Sequence, residues 1–271
     1  MTGIVRDGAS SLTNDSRLRG VRALILDVDG VLYQAGQAIA GAPEALQEFR
    51  RRGYPLRLLT NITRRSRAAL AQDLRDMGLP IEDGEVLTAS YLTAQYLRKL
   101  GRPRCWVLLE GPGLDEFAGI ERAEEEAEYV VLGDLREGFT YDLLNRVLRV
   151  LWRGAGFLAM QADPYDLTAT GPTVNVGGWL ALLERASGRK ATLVGKPAPI
   201  CYRMALEELA VTAAEAVGVG DRVESDVAGG QSVGMRTVLL RTGHFRPQDL
   251  DGPVQPTVVL DSLAGLPALL D

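Results

Sequence analysis

The sequence predicts an α/β protein with a parallel sheet and a second, smaller α/β unit inserted into it. Three observations support this fold class. Short apolar runs alternate with helical segments that end at glycines, which is the pattern of parallel β-α units. That pattern restarts over about residues 102–190 and then resumes its first form. Finally, several of the apolar runs end in polar or acidic residues, at the sheet edge where open α/β proteins bind ligands.

The first strand organises the rest of the chain. The apolar run 24–26 leads directly into Asp27 and Asp29, and Gly30 ends it. This predicts a buried parallel strand that presents two carboxylates in a turn. Two acids one residue apart repel each other unless a cation or a shared proton compensates. The arrangement is therefore typical of a metal-dependent enzyme rather than of a structural protein.

The other elements of the first part follow in β-α order. Residues 1–20 are rich in Ser, Gly, Asp and Arg and predict a loose N-terminal arm. Apolar patterning and helix-stop glycines then predict the following elements. They are a helix over 43–52, a strand over 56–59 that ends at Thr60-Asn61, and helices over 64–77 and 89–100.

The middle unit and the last part are predicted in the same way. The middle unit has strands at 105–109, 129–132 and 157–160, helices at 141–151 and 178–186, and a loop through 163–172. The last part has strands at 193–194, 216–219, 236–240 and 257–259, helices at 200–209 and from 263, and a short helix after Asp226. We therefore expect a core made of residues 1–101 and 191–271, with residues 102–190 as a separate domain.

Composition limits the function classes. The chain has 271 residues, 46% of them hydrophobic and 24% charged, with a net charge of −5. The acidic balance argues against a nucleic-acid or membrane partner. With no apolar leader and no run long enough to span a bilayer, we expect a cytoplasmic protein. Cys105 and Cys201 lie far from each other and from any histidine, which predicts two buried, reduced thiols.

Four groups of residues stand at strand ends. They are Asp27-Val28-Asp29, Thr60-Asn61, Lys196-Pro197, and Gly220-Asp221 with the nearby Asp226. Each alone has an ordinary structural explanation: Thr60-Asn61 is more often a turn or a helix cap, Lys196 a surface lysine and Gly220-Asp221 a turn. Together they supply carboxylates for a hard cation, donors for anion oxygens and one ammonium. These are the requirements of phosphoryl transfer.

In their order and residue types these motifs resemble those of the haloacid dehalogenase superfamily. The segments Leu59-Thr60-Asn61, 139–145, Val194 to Pro197 and Val219 to Asp221 resemble subclass IIA in particular. That subclass includes NagD-type, pyridoxal and phospholysine phosphohistidine inorganic pyrophosphate phosphatases. The resemblance implies a doubly wound α/β core with an inserted α/β cap of the C2 type, a Mg²⁺ cofactor and a small phosphorylated metabolite as substrate.

The resemblance also implies residue roles in the core. Asp27 is expected to be the nucleophile that forms an aspartyl-phosphate, and Asp29 the general acid and base that also ligates the metal through its backbone carbonyl. Thr60 and the Asn61 amide are expected to hold phosphate oxygens, and Lys196 to neutralise charge on the phosphate and on Asp27. The metal ligands are expected to be Asp27, Asp29, Asp221 and Asp226, with Asp226 more suited to steadying Lys196 or a metal-bound water.

The cap is expected to set specificity. By position, Asp163, Tyr165 and Asn175 are candidates to contact the substrate, and packing of Tyr165 within the cap is an equal alternative. His244, the only histidine, is expected at the surface or at the rim of the substrate site. Because relatives often dimerise through the cap, a homodimer through this unit is a further expectation.

The predicted activity is Mg²⁺-dependent hydrolysis of small phosphomonoesters, such as sugar, nucleotide or cofactor phosphates. The presence of Asp29 favours hydrolysis of phosphate esters over dehalogenation. Two alternatives stay open: a phosphotransferase or phosphomutase of the same fold, and a non-catalytic protein that binds a phosphorylated ligand.

Overall fold

The computed structural model describes residues 16–168 and 170–271. Most of the predicted N-terminal arm, residues 1–15, lies outside the described residues. The end of that segment does not fit the prediction, because Ser16–Leu18 forms a 3-10 turn and Leu18 is completely buried. The polypeptide therefore joins the folded core before Gly20.

The described strands and helices alternate along most of the chain. The strands are β1 (Ala23–Leu26), β2 (Tyr33–Gln34), β3 (Gln37–Ala38), β4 (Leu56–Thr60), β5 (Val86–Thr88), β6 (Cys105–Leu108), β7 (Tyr129–Leu132), β8 (Gly156–Ala159), β9 (Tyr165–Thr168), β10 (Gly171–Val174), β11 (Thr192–Leu193), β12 (Ala216–Gly220), β13 (Arg236–Leu240) and β14 (Val258–Leu260). The α-helices are α1 (Ala42–Arg51), α2 (Arg67–Asp76), α3 (Ala89–Lys99), α4 (Tyr141–Trp152), α5 (Val176–Ser187), α6 (Pro199–Leu209) and α7 (Ala228–Ser232).

The larger sheet confirms the predicted core. Its six strands are parallel and lie in the order β14-β13-β12-β1-β4-β5. All four residues of β1 are buried, because helices cover both faces of the sheet. The chain moves outward from β1 first in one direction, through β4, and later in the other, through β12. Asp27 therefore follows the strand at the switch point of the sheet, where α/β proteins place their ligands.

The smaller sheet forms the inserted unit. Its four parallel strands lie in the order β11-β8-β7-β6. Its edge strand β11 corrects one assignment, because we expected the strand near Leu193 to belong to the core and it pairs with β8 instead. The boundaries proposed for the two domains stay a prediction.

Local sequence explains several further differences. Helix α2 begins at Arg67 rather than at 64, because the Ser66 hydroxyl accepts the N–H of Ala69 and caps the helix there. The terminal segment Leu263–Leu269 is a 3-10 helix with Pro267 inside it, not an α-helix. Two hairpins, β2-β3 and β9-β10, were not predicted, because such short strands carry little alternation of polar and apolar residues.

Helix α3 joins the two sheets. Ala94 and Leu97 of this helix pack in one buried cluster with Leu158 and Met160, at the end of β8. The Gly195 N–H also donates to the carbonyl of Met160, at 3.0 Å. Because of these contacts, the loop that follows β8 lies beside the carboxyl ends of the core strands.

The structure also bears on two expectations about the whole chain. Cys105 and Cys201 are buried and unpaired, as expected. Burial raises the pKa of each thiol to about 12, which keeps both protonated at neutral pH. Among the residues that the structure describes, no helix has both the length and the apolar character that a membrane span requires.

Candidate active site

A buried ion triad lies at the carboxyl edge of the core sheet. Asp27 directly follows β1, and its backbone N–H donates to Val219 of β12 at 2.8 Å. The Nζ atom of Lys196 lies 2.6 Å from Asp27 Oδ1 and 2.7 Å from Asp226 Oδ1. The Lys196 side chain is only 5% exposed. One buried ammonium thus connects two carboxylates that come from different strand ends.

The pKa shifts follow from this burial. Burial raises the pKa of Asp27, and the ammonium of Lys196 lowers it. The negative charges of Asp226 and Asp221 raise it again, so that the pKa of Asp27 lies above its usual range. Burial alone would lower the pKa of Lys196, but Asp226 and Asp27 outweigh it and the pKa is raised. Lys196 is therefore charged. With all three acids ionised, the cluster would carry a net negative charge that a bound cation would balance.

Asp221 contributes the least satisfied group of the site. It directly follows β12 and is 1% exposed. Its Oδ2 accepts the backbone N–H of His244 at 2.6 Å and lies 3.0 Å from His244 Nδ1. Its Oδ1 is buried and accepts no hydrogen bond from the described residues. An orphaned buried carboxylate oxygen is costly, and coordination of a cation would satisfy it.

The residues fit a divalent cation. Carboxylate oxygens of Asp27, Asp221 and Asp226 lie within 4.8 Å of one another. Both oxygens of Asp226 already have partners, since Oδ1 contacts Lys196 and Oδ2 accepts the Arg222 N–H at 3.1 Å. This agrees with the expectation that Asp226 steadies Lys196, and direct contact of Asp226 with a metal stays a prediction. An all-oxygen donor set is the type that Mg²⁺ prefers.

Two glycines allow these groups to approach so closely. A Cβ added at Gly220 would lie 2.2 Å from Cβ of Asp226. One added at Gly30, where φ is +78°, would lie 2.3 Å from Oδ2 of Asp221. Any larger residue at either position would displace a carboxylate of the site.

Asp29 lies two residues after Asp27 and is exposed. Its backbone forms an isolated bridge with Tyr33, and the Gly30 N–H donates to the carbonyl of Tyr33 at 2.8 Å. Burial, together with the negative charges of Asp29 and Asp27, raises the pKa of Tyr33 to about 12. Tyr33 thus lies near both acids, which no sequence pattern indicated, and the exposed Asp29 carboxyl is free to meet a ligand from solvent.

The residues after β4 have unequal roles. Thr60 is buried, and its Oγ1 accepts the N–H of Ile62 at 3.3 Å. The Asn61 side chain holds the backbone of Lys196, because Oδ1 accepts its N–H at 2.9 Å and Nδ2 donates to its carbonyl at 3.1 Å. The Asn61 side-chain amide is therefore a positioning group for Lys196. Phosphate binding by Thr60 and by the backbone amide of Asn61 stays a prediction.

Asp163 links the inserted unit to the core. Its Oδ2 accepts a hydrogen bond from Asn61 Nδ2 at 3.2 Å, and its Oδ1 lies 3.6 Å from Nη1 of Arg222. Asp163 thus contacts Asn61 and lies near Arg222, and its contact with the substrate stays a prediction. Arg222 was missed, although its place directly after Asp221 was a signal.

The other two cap candidates are placed differently. Tyr165 is 56% exposed on β9 and has no described polar partner. Asn175 is buried and caps α5, where its Oδ1 accepts the N–H of Val176 at 2.7 Å and Nε2 of Gln161 at 2.9 Å. Its Nδ2 donates to Asp166 at 2.7 Å. Because the whole side chain is engaged in the protein, the structure favours an architectural role for Asn175 over substrate contact.

Comparison with known protein families matches both halves of the core. A family model described as haloacid dehalogenase-like hydrolase matches residues 24–121, and a HAD-hydrolase-like model matches residues 193–266. Among curated proteins, the phospholysine phosphohistidine inorganic pyrophosphate phosphatase of Rattus norvegicus is 37% identical over 256 residues. That match covers 92% of this chain and 93% of the relative.

Solved structures extend the similarity to the inserted unit. The p-nitrophenyl phosphatase from Archaeoglobus fulgidus superposes with a TM-score of 0.86 at 30% identity, over 91% of this chain and 98% of that one. NagD from Escherichia coli K-12 superposes with a TM-score of 0.84 at 29% identity, over 90% of this chain and 97% of that one. Both matches span the core and the segment inserted into it.

Proposed function

Because the chain belongs to subclass IIA of the haloacid dehalogenase-like hydrolases, we propose that it is a Mg²⁺-dependent phosphatase of small phosphomonoesters. The proposed reaction proceeds through an aspartyl-phosphate on Asp27. The observation that carries this proposal is the buried Lys196 ammonium, 2.6 Å from Asp27 and 2.7 Å from Asp226. An ammonium in that place holds the nucleophile and can neutralise a phosphoryl oxygen beside it.

Each residue of the site has a separate role in the proposed reaction. An oxygen of Asp27 attacks phosphorus while the bond to the leaving oxygen breaks, and the exposed Asp29 carboxyl protonates that oxygen. Asp29, now ionised, then takes a proton from the water that hydrolyses the aspartyl-phosphate. Asp27, Asp221 and the Asp29 carbonyl would hold Mg²⁺, with Asp226 beside them, and the bound ion would supply positive charge to the transferring group. Thr60 and the Asn61 backbone amide would hold phosphoryl oxygens.

We propose that the inserted unit selects the substrate. Asp163 and Tyr165 lie on the segment between β8 and β10, so we propose that they face the leaving group. Sugar, nucleotide and cofactor phosphates are the proposed substrates. Since a relative is named for phospholysine, phosphohistidine and pyrophosphate, these compounds belong in any substrate panel. A homodimer through the inserted unit and a cytoplasmic location are further expectations.

The test is phosphate release from para-nitrophenyl phosphate and from the panel, with Mg²⁺ and with a chelator. We expect Asp27→Asn to lower turnover by on the order of 10³-fold or more, because it removes the nucleophile. Asp251→Asn, at an exposed carboxyl outside the site, is the matched control and should leave turnover unchanged. Equal turnover by Asp27→Asn and the wild type would refute the proposal.

The same assay separates the alternatives. Transfer of phosphate to added sugar acceptors, with little free phosphate, would identify a phosphotransferase. Binding of a phosphorylated ligand without any turnover would identify a non-catalytic protein. Trapping of radiolabelled phosphate on the wild type, but not on Asp27→Asn, would locate the intermediate.

A further inference from the structure

The two oxygens of the Asp221 carboxylate have opposite surroundings. Oδ2 accepts the backbone N–H of His244 and lies 3.0 Å from its Nδ1, whereas Oδ1 is buried without a hydrogen-bond donor among the described residues. Because an ionised carboxylate only accepts hydrogen bonds, the ring of His244 must carry its proton on Nδ1 to make this contact. His244 thus fixes one oxygen of Asp221 and leaves the other for a different partner.

The loop that carries His244 packs closely against Asp221 and against the turn after β1. The Thr242 hydroxyl donates to the carbonyl of Gly30, which ties the loop after β13 to the turn after β1. At Gly243 φ is +58°, and a Cβ there would lie 2.1 Å from Oδ2 of Asp221. The backbones of Gly30 and Gly243 thus both pack closely against the Asp221 oxygen that His244 contacts.

We infer that His244 is a positioning residue for the metal site, an inference that rests on the proposed function. It holds Asp221 by Oδ2 so that Oδ1 is directed to the cation. His244 acts through Asp221, and its own ring does not ligate the metal. Hydrogen bonds to metal-ligating carboxylates typically change metal affinity by about 10- to 100-fold when they are removed. Because the backbone N–H remains in any substitution of His244, we expect an effect at the lower end of that range.

The test measures cation binding directly, without turnover. Mn²⁺, which takes the same oxygen ligands, is titrated into the purified protein and followed by electron paramagnetic resonance, and Mg²⁺ is then used to displace it. The variants are His244→Ala, His244→Asn and His244→Gln. The Nδ2 of Asn can occupy roughly the place of Nδ1, whereas Gln carries its amide one carbon farther out. Gln248→Ala, at an exposed residue of the 3-10 helix that follows this loop, is the control.

We expect the dissociation constant for Mn²⁺ to rise about tenfold in His244→Ala and His244→Gln. His244→Asn and Gln248→Ala should stay within about threefold of the wild type. The Mg²⁺ concentration for half-maximal turnover should rise in parallel, and saturating Mg²⁺ should restore most of kcat. A melting curve in chelator that matches the wild type would show that the fold is intact.

Three results would overturn the inference. One is unchanged Mn²⁺ affinity in His244→Ala, and another is an affinity in His244→Asn as weak as in His244→Ala. The third is a loss of kcat that saturating Mg²⁺ does not repair, because it would mean that His244 acts on the substrate. A wild-type protein that binds neither cation would instead refute the metal dependence in the proposed function, which distinguishes the two failures.

Discussion

The carboxyl edge of the core sheet and the adjoining edge of the inserted unit differ in how their polar groups are used. In the core, Lys196 and Asp226 are buried, and their charged groups contact each other. In the inserted unit, Tyr165 is exposed and the side chain of Asn175 caps a helix, so that Asp163 alone of the three candidates contacts a core motif. If the core carries the chemistry and the inserted unit selects the substrate, as we propose, the inserted unit can vary without disturbing the core.

The largest expected effect tests the core side of this comparison. Lys196→Met keeps the length of the side chain but leaves Asp27 and Asp226 as buried acids without their counter-ion. We expect the free energy of unfolding to fall by about 3–5 kcal/mol at neutral pH, and turnover to fall by more than about 100-fold. Chemical denaturation and phosphate release would measure the two effects.

The pH dependence of that loss has a definite sign. Burial already raises the pKa of Asp27, and removal of the ammonium raises it further. An acid whose pKa is higher in the folded state costs stability as pH rises above its unfolded pKa, about 4. The deficit of Lys196→Met should therefore shrink at acid pH. Lys190→Met, at a lysine whose side chain is 87% exposed, is the control. An equal loss of unfolding free energy in this variant would mean that the change in net charge, and not the buried position of Lys196, explains the destabilisation.

A second, smaller effect tests the close packing of side chains at the carboxyl edge of the core sheet. Gly220→Ala adds a Cβ that would lie 2.2 Å from Cβ of Asp226, so the carboxylate must move away from Lys196. We expect a loss of about 1–3 kcal/mol in unfolding free energy, with lowered turnover. At Gly84 a Cβ would meet nothing within 4 Å, and Gly84→Ala should change neither quantity. Wild-type activity in Gly220→Ala would show that the Asp226–Lys196 contact is dispensable.

The sequence was most informative where strand ends carry charge. The apolar run before Asp27, and the places of Thr60 and Asp221 after later core strands, predicted the parallel core and residues at its edge. Lys196 also reaches this edge, although the strand before it belongs to the smaller sheet. All strands of a parallel sheet have their carboxyl ends at the same edge, whatever the sequence between them. Residues that follow these strands could therefore be predicted to lie near one another without knowledge of the side-chain packing.

Contacts between side chains of distant segments could not be predicted in this way. The pairing of the Asn61 amide with the Lys196 backbone depends on how two loops meet, 135 residues apart in the chain. The partnership of His244 with Asp221 likewise depends on the fold, although Thr242-Gly243-His244 follows a core strand, as the Asp27, Thr60 and Asp221 motifs do. The burial of Asn175 also became visible only once the helix that it caps was placed.

The smallest expected effect tests the inserted unit. Asp163→Asn keeps an oxygen that can accept the hydrogen bond from Asn61, but it removes the charge that faces Arg222. Because this ion pair is partly exposed and 3.6 Å long, we expect the unfolding free energy to change by less than about 1 kcal/mol. If Asp163 faces the leaving group, KM should change several-fold and unequally among substrates, while kcat stays within about threefold. Asp142→Asn, at an exposed residue of α4, should alter neither constant. A 100-fold loss of kcat with KM unchanged would instead place Asp163 with the catalytic groups, and the division between core and inserted unit would fail.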